Sequence, residues 1–163
     1  MKKRSKYRAK PVRQYSLVET LMADKNAPLS LSKREAQLDE IRAGIEAMRT
    51  AESPSRRHWE VIADCVNLLE TLVEHDFLED SGGWIAEAST ELAMAAKRSR
   101  SGLALRLSGP GLKAVENALE GYEAAISQLS ARRMVEIHRL TEIRIHEIQS
   151  GKRRAHDIQV VSL

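Results

Sequence analysis

Three side chains on one stretch of the chain have the types and spacing of a metal site: His138, Glu142 and His146, at i, i+4 and i+8. On a helix this spacing stacks imidazole, carboxylate and imidazole along one face. Successive ligands then lie one turn apart, about 5.4 Å along the axis, so a single ion takes two of the three comfortably. A further ligand from another helix would be required, and the sequence does not point to one. The row is therefore expected to be a solvated face in which Glu142 supports two histidines, and no metal is assigned. A second set, His58, Cys65 and His75, has the residue types of a thiol nucleophile and its base. Seven and ten residues of helix separate its members. Cys65 lies among Ile62, Val66, Leu68 and Leu69, where a small thiol packs as a hydrophobe, so no catalytic role is expected. Glu116, Glu120 and Glu123 share one surface of a predicted helix and are read as solvated. Gly109-Pro110-Gly111 is too short to cradle a phosphate and reads as a turn with a helix cap. No cofactor is expected and the chain is read as non-enzymatic.

The remaining chemistry is electrostatic. Residues 1–14 contain Lys2, Lys3, Arg4, Lys6, Arg8, Lys10 and Arg13 and no acid, which is seven positive charges. The chain totals +3, so the other 149 residues sum to −4, and the sequence pI of about 9.1 is produced by this arm. So many like charges with so little apolar content cannot bury enough surface to offset the entropy of ordering. The arm is expected to be disordered until a polyanion or an acidic protein surface meets it. Lys and Arg on flexible backbone are sufficient to neutralise phosphates and release their counterions. Tyr7 among them has the ring to stack on an exposed base. Arg56, Arg57, Arg98, Arg100, Arg132 and Arg133 would extend such a surface if folding gathers them. No helix-turn-helix or RNA-binding signature accompanies the arm, so no sequence-specific readout is expected.

These residues need a scaffold, and the composition favours helices. The 163 residues are 42% hydrophobic and 30% charged, with 4% aromatics, eight Gly and four Pro. That suits one compact all-α domain carrying an arm. A single cysteine excludes an intrachain disulfide and a cysteine-based zinc site within one chain. No run of eighteen apolar residues suggests a membrane span, and no convincing cleavable leader follows the arm, so a cytoplasmic location is expected.

Apolar spacing predicts about five helices. Tyr15 to Ala23 forms a short first helix with Leu17, Val18, Leu21 and Met22. A second begins at a Ser32–Glu35 capping box and carries Leu38, Ile41, Ile45 and Met48, with Gly44 as its weak point. A third starts with Pro54 in its first turn and reaches about His75, carrying Trp59, Ile62, Val66, Leu69 and Val73. A fourth runs from Trp84 to the cluster Lys97, Arg98 and Arg100, cations that suit a helix C-terminus. Gly102 to Ser108 alternates Leu103, Leu105 and Leu107 as a short extended segment, pairing with a second copy or covering the core. One long helix is expected from Pro110 to Ser150, about 60 Å if straight. Its seam of Leu112, Val115, Leu119, Tyr122, Ile126 and Leu129 has the spacing of an interhelical, dimer-forming face. The register slips at Arg132 and Arg133, then resumes with Met134, Ile137, Ile145 and Ile148. A kink at the slip and a protruding, dimerising half are both open at this point. The domains are thus an arm at 1–14, a helical body at 15–151, and a tail at 152–163.

Lys2-Lys3-Arg4-Ser5-Lys6-Tyr7 with Lys10-Pro11-Val12 resembles the start of a group of small proteins encoded by bacteriophages and prophages of Gram-negative bacteria. Trp59 through Leu69, Ser108-Gly109-Pro110 and Ala118-Leu119-Glu120 fit the same pattern. Ala9 stands where these proteins often have proline, which loosens an extended arm. The resemblance implies a phage gene product in a bacterial host cytoplasm and brings no catalytic residues.

The expectation is a non-enzymatic, homodimeric helical binding protein whose contacts to nucleic acid are Lys2, Lys3, Arg4, Lys6, Tyr7, Arg8, Lys10 and Arg13. The competing class is a phage-encoded inhibitor that binds a host complex directly, for example a defence complex, with an acidic helical body that mimics nucleic acid or plugs a nucleic-acid site.

Overall fold

The structure is a computed structural model that describes residues 28–153. The arm, the predicted helix at Tyr15 to Ala23 and the tail after Arg153 lie outside the described residues. Five α-helices make up the described chain: α1 Leu31–Thr50, α2 Arg56–Glu74, α3 Trp84–Arg100, α4 Gly109–Gln128 and α5 Ala131–Gln149. The all-α class is as the composition predicts.

Helix α1 buries Leu38, Ile41, Gly44, Ile45 and Met48, a 3-4 stripe along one side. Its start differs from expectation. Ser30 is the N-cap, Ser32 is already helical, and no side chain caps the helix, so the Ser32–Glu35 capping box does not form. Gly44 sits at a close approach of two helices: a Cβ there would lie 3.1 Å from the carbonyl oxygen of His58, tighter than an ordinary contact. The residue that weakens α1 by propensity is the one that lets α2 approach it.

Helix α2 is central, burying ten residues that include Trp59, Ile62, Val66, Leu69 and Leu72. It starts after Pro54, with Ser55 as N-cap. The Ser55 hydroxyl accepts from the His58 N–H, and the Ser55 N–H donates to His58 Nδ1 at 3.2 Å. This is a capping box with histidine in place of the usual Glu or Gln. At the other end the Phe77 N–H reaches the Leu72 carbonyl at 2.8 Å and the Asp76 N–H reaches Val73 at 3.1 Å. Asp76 has φ 58°, the left-handed position of a Schellman stop.

The predicted alternation at 102–108 forms no strand. Leu105 and Leu107 turn into the core and Leu103 turns out to solvent, so the segment covers the core as a linker. The Ser108 hydroxyl then accepts from the Gly111 N–H at 2.9 Å to start α4, with Pro110 in the first turn.

The expected long helix is two helices. Leu129 is extended (φ −85°, ψ 138°), and the Ser130 hydroxyl caps α5 by accepting from the Arg133 N–H at 3.2 Å. The break falls beside the register slip, so the seam does not continue as one rod. Val115, Tyr122 and Ile126 are buried in the core, with Leu112, Leu119 and Leu129 packed against it. The packing partners of this seam within the chain are therefore its own helices. Helix α4 packs on α1, α2 and α3, while α5 packs chiefly on α2.

Candidate functional site

Helices α1, α2 and α4 enclose a cleft of about 310 Å³. Ile41, Val61, Cys65 and Leu68 give it an apolar lining. Its polar groups are Gln37 and Glu40 from α1, Arg57 and Asp64 from α2, and Tyr122 from α4. Arg57 pairs with Glu40 across the α1–α2 boundary, and the Tyr122 hydroxyl stands 3.5 Å from Gln37 Oε1. Asp64 is raised to about 6, mainly by burial and then by the neighbouring Glu60 and Glu40, against the lowering effect of Arg57. Its carboxyl therefore changes protonation just below neutrality. Acid–base or nucleophilic chemistry needs a positioned second group, and this cleft does not supply a thiolate. Cys65 is buried, and desolvation followed by the Asp64 charge pushes its thiol upward. His58 is committed to the α2 cap, and His75 caps the opposite end of that helix.

The metal-like row on α5 is equally informative. Glu142 and His146 are exposed, whereas His138 is half-buried and burial lowers it to about 4. Among the described residues no group of three His, Cys, Asp or Glu side chains is placed to hold a metal ion.

The most connected polar groups are ones the sequence reading passed over. Arg144 on α5 donates from Nη1 to Glu70 Oε2 at 2.7 Å, and from Nη2 to the carbonyl and side-chain oxygens of Asn67 at 2.9 and 3.1 Å. The Ser89 hydroxyl on α3 donates to the other Glu70 oxygen. Beside them the Thr141 and Thr71 hydroxyls are 2.8 Å apart. Asn67, Thr71, Ser89, Thr141 and Arg144 are all buried, so this cluster ties α2, α3 and α5 together. The available signal was positional: Thr141 and Arg144 continue the Met134–Ile137 stripe at spacings of four and three.

Cations expected to extend a basic surface prove to be divided. Arg56 pairs with Glu60, Arg57 with Glu40 and Arg133 with Glu136, and Arg133 also stacks over the Phe77 ring, 4.5 Å from its centroid. Arg98 and Arg100 lie in the last turn of α3, whereas Arg132 and Arg133 lie in the first turn of α5. The arm residues Lys2, Lys3, Arg4, Lys6, Tyr7, Arg8, Lys10 and Arg13 are outside the described residues. No protein-family model, curated protein or solved structure matches the chain.

Proposed function

We propose that the protein is a non-enzymatic nucleic-acid-binding protein that engages the phosphate backbone through Lys2, Lys3, Arg4, Lys6, Arg8, Lys10 and Arg13, with Tyr7 stacking on an exposed base. Its setting is the bacterial cytoplasm, as a phage gene product. The observation that carries the reading is the partition of charge. Seven cations and no acid occupy residues 1–14, whereas residues 28–153 hold seventeen Lys and Arg against twenty Asp and Glu, a net of −3. Seven arginines of the bundle, Arg42, Arg49, Arg56, Arg57, Arg133, Arg144 and Arg153, already pair with its own acids. A polyanion is thus drawn first to the arm.

The test is fluorescence anisotropy with labelled duplex DNA and single-stranded RNA, using the full chain and a full-length variant with the seven arm cations replaced by Gln. Seven phosphate contacts on duplex DNA give a slope of log K against log salt of about −6. Loss of that slope in the variant is the expected outcome; equal binding by both proteins overturns the reading.

A second reading, direct inhibition of a host protein complex, is favoured by one feature. From His58 to Ala96 the chain has nine acids and no Lys or Arg, and Asp76, Glu79 and Glu87 are exposed near the α2–α3 turn. A stoichiometric host protein recovered after nuclease treatment supports that class.

A further inference from the structure

The first four helices alternate in direction, so the C-termini of α1 and α3 and the N-termini of α2 and α4 lie at one end of the bundle. Cross-helix contacts establish this: Arg49 pairs with Glu116, Trp59 Nε1 donates to the Leu92 carbonyl at 3.1 Å, and Glu91 accepts from the Ser108 hydroxyl at 2.9 Å. Eight cations belong to this end: Arg49, Arg56, Arg57, Lys97, Arg98, Arg100, Arg106 and Lys113. Six acids accompany them, Glu46, Glu52, Glu60, Glu91, Glu116 and the Glu40 that pairs with Arg57, for a net of +2 on a bundle that is negative as a whole. Between Glu91 and Glu116 there are five cations and no acid.

The linker completes the cluster. Arg98 donates from Nη2 to the Arg106 carbonyl at 2.9 Å, and Arg106 donates from its own Nη2 to the Ala51 and Glu52 carbonyls at 2.6 and 2.9 Å. Arg106 thereby bridges the end of α3 to the loop before α2. Lys97, Arg100, Arg106 and Lys113 are all exposed. Favourable interaction with the α3 dipole accounts for Lys97, Arg98 and Arg100 but not for Arg106 or Lys113, which lie beyond that helix.

We propose that this end of the bundle is a second phosphate-backbone surface, which rests on the nucleic-acid reading and gives it a folded component. Guanidinium forks and ammonium groups spread over one face suit the repeated oxygens of a backbone and carry no base readout. Leu103 is exposed beside them and Met94 is exposed on α3 just before Lys97, but two isolated side chains fall short of the apolar face by which an amphipathic element enters a lipid surface.

The test compares four full-length proteins: wild type, the arm Gln variant, the triple variant Lys97→Ala, Arg100→Ala and Lys113→Ala, and the combination. Labelled duplex DNA and phosphatidylserine vesicles are the probes, with circular dichroism to verify folding. The triple variant is expected to bind DNA about tenfold more weakly and to flatten the salt slope by about 2 to 3, with the arm intact. An unchanged slope in the triple variant with a loss in the arm variant overturns this proposal and leaves the arm reading standing. Failure of wild type to bind DNA removes both. Dependence of vesicle binding, and not DNA binding, on the three cations assigns the surface to lipid and also overturns the proposal.

Discussion

Arg144 and Glu70, 74 residues apart, form a sheltered ion pair at 2.7 Å in which the side chains retain 7% and 18% exposure. Each partner is further hydrogen-bonded, Arg144 to Asn67 and Glu70 to Ser89. Removing one member strands the other with its desolvation uncompensated, typically at a cost of about 3 to 5 kcal/mol. Arg144→Met is therefore expected to destabilise by about 3 kcal/mol in urea titration. The double variant Glu70→Gln, Arg144→Met should recover part of that loss.

Asp64 and His138 give opposite pH dependences. The Asp64 carboxyl is raised from 3.8 to about 6, so the native state holds its proton more tightly than the unfolded chain does between those values. Its contribution is most favourable below pH 3.8 and is lost as pH rises through about 6. His138 is lowered from 6.5 to about 4, so the unfolded chain takes its proton first and stability falls as pH drops below 6.5. In the window from about 4 to 6 the two slopes oppose each other. Asp64→Asn should gain about 2 kcal/mol at pH 7 and become visibly acid-labile below pH 6.5; His138→Gln should grow more stable as pH falls through that window. Urea denaturation from pH 4 to pH 7.5 reads both slopes.

The Cys65 thiol is inaccessible and held in its neutral form. Ellman's reagent should leave the native protein unmodified over minutes and titrate one thiol per chain in guanidinium chloride. Rapid reaction of the native protein would show that the cleft floor opens.

Gly121 on α4 lies under the six-membered ring of Trp84. A Cβ at 121 would fall inside that ring's contact surface, 2.6 Å from Cζ3. Ala ordinarily favours a helix interior by about 1 kcal/mol over Gly. Here displacement of the ring outweighs that gain, and Gly121→Ala should destabilise by about 1 to 2 kcal/mol and shift tryptophan emission to longer wavelength.

Much of α1 through α3 was legible because local signals and packing agree. The stripes Leu38–Ile41–Ile45–Met48 and Trp59–Ile62–Val66–Leu69 are the ones buried, and α3 runs from Trp84 to Arg100 as its pattern predicts. Starts were less legible, since Ser30 and Ser32 both suit a cap and sequence alone does not rank them. The α4–α5 break was visible only as a slip at Arg132–Arg133; Ser130, whose hydroxyl makes the cap, was passed over inside an apolar seam. The cleft and the Arg144 cluster were not legible. They depend on contacts between helices, with Arg144 and Glu70 lying 74 residues apart and Tyr122 and Gln37 85 apart, and nothing local to Asn67 or Glu70 announces an arginine from α5.

The seat of α5 on α2 is graded, and that gives the last helix a direction of opening. Toward the Leu129–Ser130 break the helix rests on oily contacts, Met134, Ile137 and Leu140, whereas further along it rests on hydroxyls, an amide and a carboxylate. Water can substitute for the second group but not the first. Peeling from Gln149 inward would uncover surface that solvent tolerates and would stall at Ile137, like a zip whose teeth coarsen toward the stop. Amides of the last α5 turns should thus exchange their hydrogens ahead of those beside the break, through partial excursions that leave the four-helix body closed.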